Sequence, residues 1–287
     1  MNVKKYLFNR TLNIIKWASP ILATKLLHYR STGIWLDLDN PNDFNSKLQY
    51  LKLKESSELK SICADKYESH NYISSLGCSE ILNEIYFVCD SPEEIEWDLL
   101  PEKVAIKCTH GCGYNIVTKK LSTLNKETIS QKINKWLKQD FGNVNLEYHY
   151  SDIKPRIIAE KYIENSKGEL PVDYKIYCFD GEPKLILVCS DRNNNLKLDF
   201  LDLNWKRLNI GLKEYESNTI PTKPVCFDEM IVYSKKLTKE FKFVRLDLYD
   251  NDGTPVFGEF TFTPVGNMSR YYNDYGYDYL NKLLNVK

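Results

Sequence analysis

Residues 243 to 264, Phe-Val-Arg-Leu-Asp-Leu-Tyr-Asp-Asn-Asp-Gly-Thr-Pro-Val-Phe-Gly-Glu-Phe-Thr-Phe-Thr-Pro, constrain this chain more than any other stretch. Two runs rich in aromatic and β-branched residues flank Asp250-Asn251-Asp252-Gly253, the pattern of two antiparallel strands and their turn. Strand alternation puts Arg245 and Asp247 on one side of the first strand and Val244, Leu246 and Leu248 on the other. On the second strand, Glu259 and Thr261 oppose Phe260 and Phe262. Each strand therefore sets a carboxylate among apolar neighbours, and the loop decides whether the two share a face. A plain two-residue Asp252-Gly253 turn sends them to opposite faces. A three-residue Asn251-Asp252-Gly253 loop, or an equivalent bulge, makes them diagonal neighbours roughly 7–8 Å apart, and this is the expected register. Two readings of the pair stay open: a solvated polar face, or a site where a divalent cation sits between the carboxylates and a nucleotide phosphate.

With 287 residues and 43% apolar content the chain can bury one large core or two modest ones. Its 39 basic and 39 acidic residues cancel, so no global field recruits nucleic acid, and only local patches could meet a charged surface. Eight cysteines without CxxC pairs fit reduced thiols in a cytoplasmic setting better than a disulfide framework. Cys108, His110 and Cys112 form the one tight Cys/His cluster and lack the distant second pair a zinc site needs. Residues 1 to 30 carry Lys4, Lys5, Arg10, Lys16, Lys25 and Arg30, no acid, and interleaved Leu7, Phe8, Leu12, Ile14, Ile15 and Trp17. The longest uncharged run, Trp17 to Thr24, is far below the ~20 residues that span a bilayer. This basic amphipathic segment reads either as a helix packed on the body with snorkelling lysines or as a peripheral contact at the inner membrane face.

Along the rest of the chain, Ser46 to Ser74 reads helical and Ser91-Pro92-Glu93-Glu94 reads as a helix start. Val104-Ala105-Ile106-Lys107 is a strand running into Cys108-Thr109-His110-Gly111-Cys112-Gly113. Glycines here let main-chain amides approach a phosphate, and Lys107 adds a point charge to the same oxygens. The stretch is neither a Walker A loop nor the dinucleotide fingerprint. Thr123 to Asp140 is a helix and Arg156 to Glu164 a strand. Asp173 to Phe179, the Asp180-Gly181 turn and Lys184 to Cys189 make a second hairpin that ends at Asp191-Arg192, with Asp173, Lys175 and Tyr177 on one side. Short strands with few helices predict an α+β fold in which antiparallel sheets form a cleft. The expected division is a helical region over 1–75, a small subdomain with the glycine flap over 76–150, and a subdomain with the carboxylate hairpin over 151–287.

Several long motifs, in this order, resemble TupA-like ATP-grasp proteins: Asn-Pro-Asn-Asp-Phe-Asn-Ser-Lys-Leu-Gln-Tyr-Leu-Lys-Leu at 40 to 53, Ala64-Asp65-Lys66-Tyr67, Ile106-Lys107-Cys108-Thr109-His110-Gly111, Asp173-Tyr174-Lys175-Ile176-Tyr177-Cys178-Phe179-Asp180-Gly181 and Phe257-Gly258-Glu259-Phe260-Thr261. The resemblance implies an ATP-grasp fold with a helical N-terminal extension. It also implies an ATP- and Mg2+-dependent ligase that joins an amino acid or amine to a saccharide carboxylate of a bacterial surface polysaccharide through an acyl phosphate. Carried over by position, Lys107, Gly111 and Gly113 would hold phosphates, and Glu160, Lys161 and Ile163 would line the adenine slot beside Asp173. Asp247, Glu259 and Thr261 would hold Mg2+, and Lys175, Arg192 or Arg245 would stabilise the acyl phosphate. The general ATP-grasp pattern has Asn where Thr261 stands, which puts the number of metal ions in doubt. A kinase on the same fold and a non-catalytic adaptor remain as alternatives. So does a glycosyltransferase, for which Asp37-Leu38-Asp39 and Asp250-Asn251-Asp252 mimic the metal motif without the expected βαβ series.

Overall fold

The computed structural model describes residues 3–55, 57–190 and 195–286, with side chains from Arg10 onward. Helices α1 (Val3–Ala18) and α2 (Pro20–Thr32) form an N-terminal hairpin. Its elbow is set by Ser19, whose hydroxyl accepts the Leu22 N–H at 3.3 Å, and by Pro20 in the first turn of α2. Next come α3 (Phe44–Lys54), α4 (Glu58–Ala64) and α5 (Glu68–Ser75). The single helical segment expected from Ser46 to Ser74 is thus broken twice. Ser57 accepts the Lys60 N–H at 3.2 Å, and Asp65 accepts the N–H groups of Tyr67 and Glu68 at 2.8 and 3.3 Å. Short polar side chains that bond local amides favour helix starts over interiors. Residues 92 to 94 make only one 3-10 turn.

Strands β1 (Ile85–Cys89), β2 (Val104–Cys108) and β3 (Asn115–Thr118) precede helices α6 (Lys126–Leu137) and α7 (Gly142–Asn145), and β4 (Ile157–Lys161) follows. These strands make an antiparallel sheet in the order β1-β4-β2-β3. Because β4 is central to it, the four-stranded unit runs past the boundary placed after residue 150. Ile129 and Ile133 of α6 cover Val104, Ile106, Cys108, Ile157 and Ala159. By alternation, Ala105, Lys107, Ile158 and Glu160 face the other way.

The second sheet contains β5 (Asp173–Phe179), β6 (Glu182–Ser190), β7 (Lys197–Leu201), β8 (Phe243–Asn251) and β9 (Thr254–Thr261) in the antiparallel order β7-β6-β5-β8-β9. Helix α8 (Phe227–Thr238) buries one face through Phe227, Met230 and Leu237 against Ile176, Ile186, Leu246 and Leu248. On the other face, α3 and α9 (Asp274–Leu283) bury Tyr177, Phe179, Leu187, Phe200 and Phe243. Each large apolar side chain buried there contributes roughly 1.5–3 kcal/mol, so these helices settle over the aromatic half of the face. Along β5 and β8 the same face then turns from Phe179, Tyr177 and Phe243 to Lys175, Asp173, Arg245 and Asp247. That polar half is where the site lies.

Candidate active site

The hairpin keeps its carboxylates together by a route other than the expected loop. Asn251 pairs with Thr254, so the connection is the two-residue Asp252-Gly253 turn, with φ of +52° and +86° at its two residues. On its own this register would separate Asp247 from Glu259. Between Leu248, which pairs with Phe257, and Asp247, which pairs with Glu259, the register shifts by one residue. Gly258 is the extra residue of a β-bulge. A Cβ there would lie 2.9 Å from the Asp247 carbonyl oxygen, so no side chain fits. The carboxylates become directly opposed rather than diagonal. The turn itself is tied down, since the Asp252 carboxylate accepts the Ser166 N–H at 2.7 Å and its hydroxyl at 3.1 Å.

Register across β5, β8 and β9 produces two rows, Lys175–Asp247–Glu259 and Tyr177–Arg245–Thr261. Arg245 grips Asp247 through two bonds of 2.7 Å and reaches the Thr261 hydroxyl at 3.1 Å. Lys175 donates to the Asp173 carboxylate at 2.7 Å and to Asp247. Thr261 donates to Glu259 at 3.2 Å. Burial alone would raise the Asp247 pKa, but the Arg245 guanidinium and Lys175 ammonium hold it below the usual carboxylate range. Reciprocally, burial works against the charge on Arg245 and Lys175, and Asp247, joined by Glu259 at Arg245 and by Asp173 at Lys175, outweighs it, so both pKa values are raised. Lys175 and Arg245 are therefore fixed, permanently charged cations. Arg192 lies outside the described residues.

The four-stranded sheet brings a second group. Lys107 pairs across the ladder with Ile158, and its ammonium meets the buried carboxylate of Glu160. His70 of α5 links this pair to the hairpin. Burial lowers its pKa, with Glu160 and Lys107 as opposing charged neighbours, and its ring stands edge-on to Phe257 of β9 with centroids 6.3 Å apart. Lys161 is exposed, and its N–H and carbonyl are bonded to Glu84 and the Asn83 amide at 2.9 and 2.8 Å. Ile163 is half-buried.

The glycine flap joins β2 to β3 and spans the space between the groups. Cys112 at its tip lies within electrostatic reach of Glu259 and Arg245. Gly113, with φ of +76°, has open space around it, whereas a Cβ on Gly111 would strike Phe141 and Tyr114 at 2.8 Å. Packing thus explains Gly111, and left-handed backbone explains Gly113. The flap's stem is anchored by Lys66, whose ammonium bonds the Gly111 carbonyl, and by Arg156, whose N–H donates to the Thr109 hydroxyl at 3.2 Å. His110 turns away to the Trp136 carbonyl at 3.0 Å and Cys108 enters the core, so the Cys/His cluster points into separate environments. No local pattern marks Lys66 or His70, for a lone Lys in a turn or His on a helix carries no signal of what it faces.

A profile of the TupA-like ATPgrasp family matches residues 46–282. The chain belongs to this family. ATP and Mg2+ are the cofactors that membership brings. Among the described residues no three His, Cys, Asp or Glu side chains gather as a metal set, and the oxygens that the hairpin brings together are those of Asp247, Glu259 and Thr261. These hard oxygen donors suit Mg2+, which retains waters for its other positions. No curated protein matches this TupA-like chain. Among solved structures it is similar to the D-alanine–D-alanine ligase of Bacillus anthracis complexed with ATP, at 17% identity and a TM-score of 0.48, covering 78% of this chain and 64% of that one. It is also similar to the ATP-grasp ligase PsnB complexed with a phosphomimetic variant of its minimal precursor, Mg and ADP, at 12% identity and a TM-score of 0.45, covering 80% and 61%. A third is the phosphoribosylamine–glycine ligase of Thermotoga maritima, at 15% identity and a TM-score of 0.42, covering 71% and 48%. The chain thus spans less than two thirds of the length of each.

Proposed function

We propose that this TupA-like protein is an ATP-dependent carboxylate–amine ligase that joins an amino acid or amino sugar to a uronic acid carboxylate of a bacterial surface polysaccharide. The observation that carries the reading is the Lys175–Asp247–Glu259 row with Arg245 beside it, opposite a flap whose stem bears Lys107. A carboxylate and an amine do not condense at neutral pH, so the carboxylate must first be activated. ATP supplies the phosphoryl group and Mg2+ offsets its charge. The acceptor carboxylate oxygen bonds to the γ-phosphorus as the bond to ADP breaks, and the amine nitrogen then attacks the acyl carbon as phosphate leaves with its bonding electrons. The amine proton passes to solvent or to a nearby carboxylate such as that of Asp173.

Each residue has a part in this. Asp247, Glu259 and Thr261 supply the oxygens for the metal, and Lys107 screens phosphate charge. Arg245 and Lys175, held charged by Asp247, meet the negative charge that develops on the transferring group, where fixed donors are worth more than solvent. Glu160, Lys161 and Ile163 border the nucleotide base. The flap from Cys108 to Gly113 excludes the water that would hydrolyse the acyl phosphate.

The test is product analysis. With ATP, a uronic-acid saccharide and an amino acid mixture, the expected products are ADP, phosphate and an amide, and hydroxylamine should trap a hydroxamate. Reducing the saccharide carboxylate to an alcohol should abolish turnover, and Glu259→Gln should cost roughly 100–1,000-fold in rate. Phosphorylated saccharide without amide would refute the ligase reading and leave a kinase.

A further inference from the structure

The N-terminal hairpin has two unlike sides. Leu12, Ile15, Ala23 and Leu27 pack on Leu146 and Tyr148, fastening it to the body. Lys16 reinforces the junction, its ammonium bonding the carbonyls of Asn143 and Val144 at 2.6 and 2.9 Å. On the opposite side of α1, Arg10, Ile14 and Trp17 recur at i, i+4 and i+7 and all point outward. Trp17 is 89% exposed and Ile14 63%. Past the elbow, α2 continues the outward side with Ile21, Leu22, Lys25 and Tyr29, and Trp35 stacks on Tyr29 with ring centroids 4.9 Å apart. An apolar surface of this kind is unusual on a protein whose sheets are well covered.

We propose that this face of the α1–α2 hairpin binds an anionic lipid surface, with Trp17, Ile14 and Ile21 entering the headgroup region. Charge selects the occupant. Six of the chain's 39 cations lie before Asp37 with no acid among them, leaving 33 cations against 39 acids in the remainder. A neutral protein is thereby polarised, positive at the hairpin and negative over the body, and an anionic surface both attracts the hairpin and turns the body away. Lys25 stands 3.8 Å from Asp39 and Lys16 is bonded to carbonyls, but both charges still act at the range of the Debye length. Exposed Trp and Tyr beside Lys and Arg are the side chains of a membrane interface, where an apolar ring and a polar edge are both satisfied. Among the described residues no helix is long and apolar enough to cross a membrane, so the hairpin would lie on the surface. The inference does not depend on the ligase reading.

The test is co-sedimentation of the full chain with large vesicles of phosphatidylcholine alone or with about one third phosphatidylglycerol, at low and high salt. The expected result is binding to the anionic vesicles that weakens with salt. Trp17→Ser should lower the partition coefficient on the order of tenfold, and Arg10→Gln roughly fivefold. Trp17 is so exposed that its replacement should leave the melting temperature unchanged, which separates lost binding from lost folding. Equal binding to neutral and anionic vesicles, or none to either, overturns the proposal. So does a concentration-dependent dimer, seen by sedimentation, that Trp17→Ser dissolves, since the face would then belong to a second copy.

Discussion

Gly258→Ala tests the device that aligns the two carboxylates. The added Cβ would stand 2.9 Å from the Asp247 carbonyl oxygen and 3.1 Å from Cε2 of Tyr249. A carbon–oxygen contact relaxes at roughly 3.3 Å, so β8 and β9 must part by roughly 0.4 Å at the bulge. The obstacle is backbone, not the end of a flexible side chain. Overpacking of this kind costs about 1–3 kcal/mol. For a chain of this size that is a fall in melting temperature of roughly 2–5 °C. The strain falls between the two paired carboxylates, and misplacement approaching 1 Å in a site can cost on the order of 100-fold, so roughly tenfold is expected here. Thermal unfolding and calorimetric titration with a non-hydrolysable ATP analogue, with and without Mg2+, read both effects. A variant that melts with the wild type and keeps the same Mg2+-dependent affinity would refute the claim that the bulge, and the absence of a side chain in it, sets the geometry.

Two further outcomes are expected. Lys107→Ala should lower nucleotide affinity and reduce turnover on the order of 100-fold, and unchanged values would remove Lys107 from the site. His149, buried against Tyr150 and Phe262, is pushed down to about 3 by burial and then by Lys60 and Lys52. Its folded pKa is below its unfolded value, so the unfolded chain binds more protons between about pH 6.5 and 3 and stability is lost as pH falls through that window. From pH 6 to 4 the loss from this group is roughly 2–3 kcal/mol, and denaturant titrations should find His149→Phe less acid-sensitive than the wild type by that amount. Equal slopes would sink the assignment.

The strands of the carboxylate hairpin were legible because alternation is local: aromatic residues at 260 and 262 and polar ones at 259 and 261 imply the faces directly. The bulge was not legible in its position, since one glycine in a strand says only that something irregular happens nearby. The short turn and the bulge each shift the register by one residue in the same direction, and the expectation that the carboxylates share a face survives because two residues make one full period of a strand. Pairing of Lys175 with Asp247 is another matter. Alternation assigns each to a face, but they are 72 residues apart, and only packing of the whole sheet decides that β5 and β8 are neighbours. The same holds for the region from Ser46 to Ser74, where helical spacing runs on through Ser57 and Asp65, whose side-chain bonds to local amides outweigh periodicity.

Both oxygens of Asp247 are already held, by a guanidinium on one side and an ammonium on the other. A bare cation could take an Asp247 oxygen only by loosening Arg245 or Lys175 and leaving positive charges face to face. A bare polyanion could draw those two side chains off only by leaving Asp247 buried and unaccompanied, which is costly. When opposite charges arrive as a pair, each change of partner is compensated by the other. By thermodynamic linkage, each then tightens the other's hold by the same factor. On the proposed function the hairpin would thus act as a coincidence detector: the interactions that keep it quiet in the presence of either ion alone would make it answer to both together.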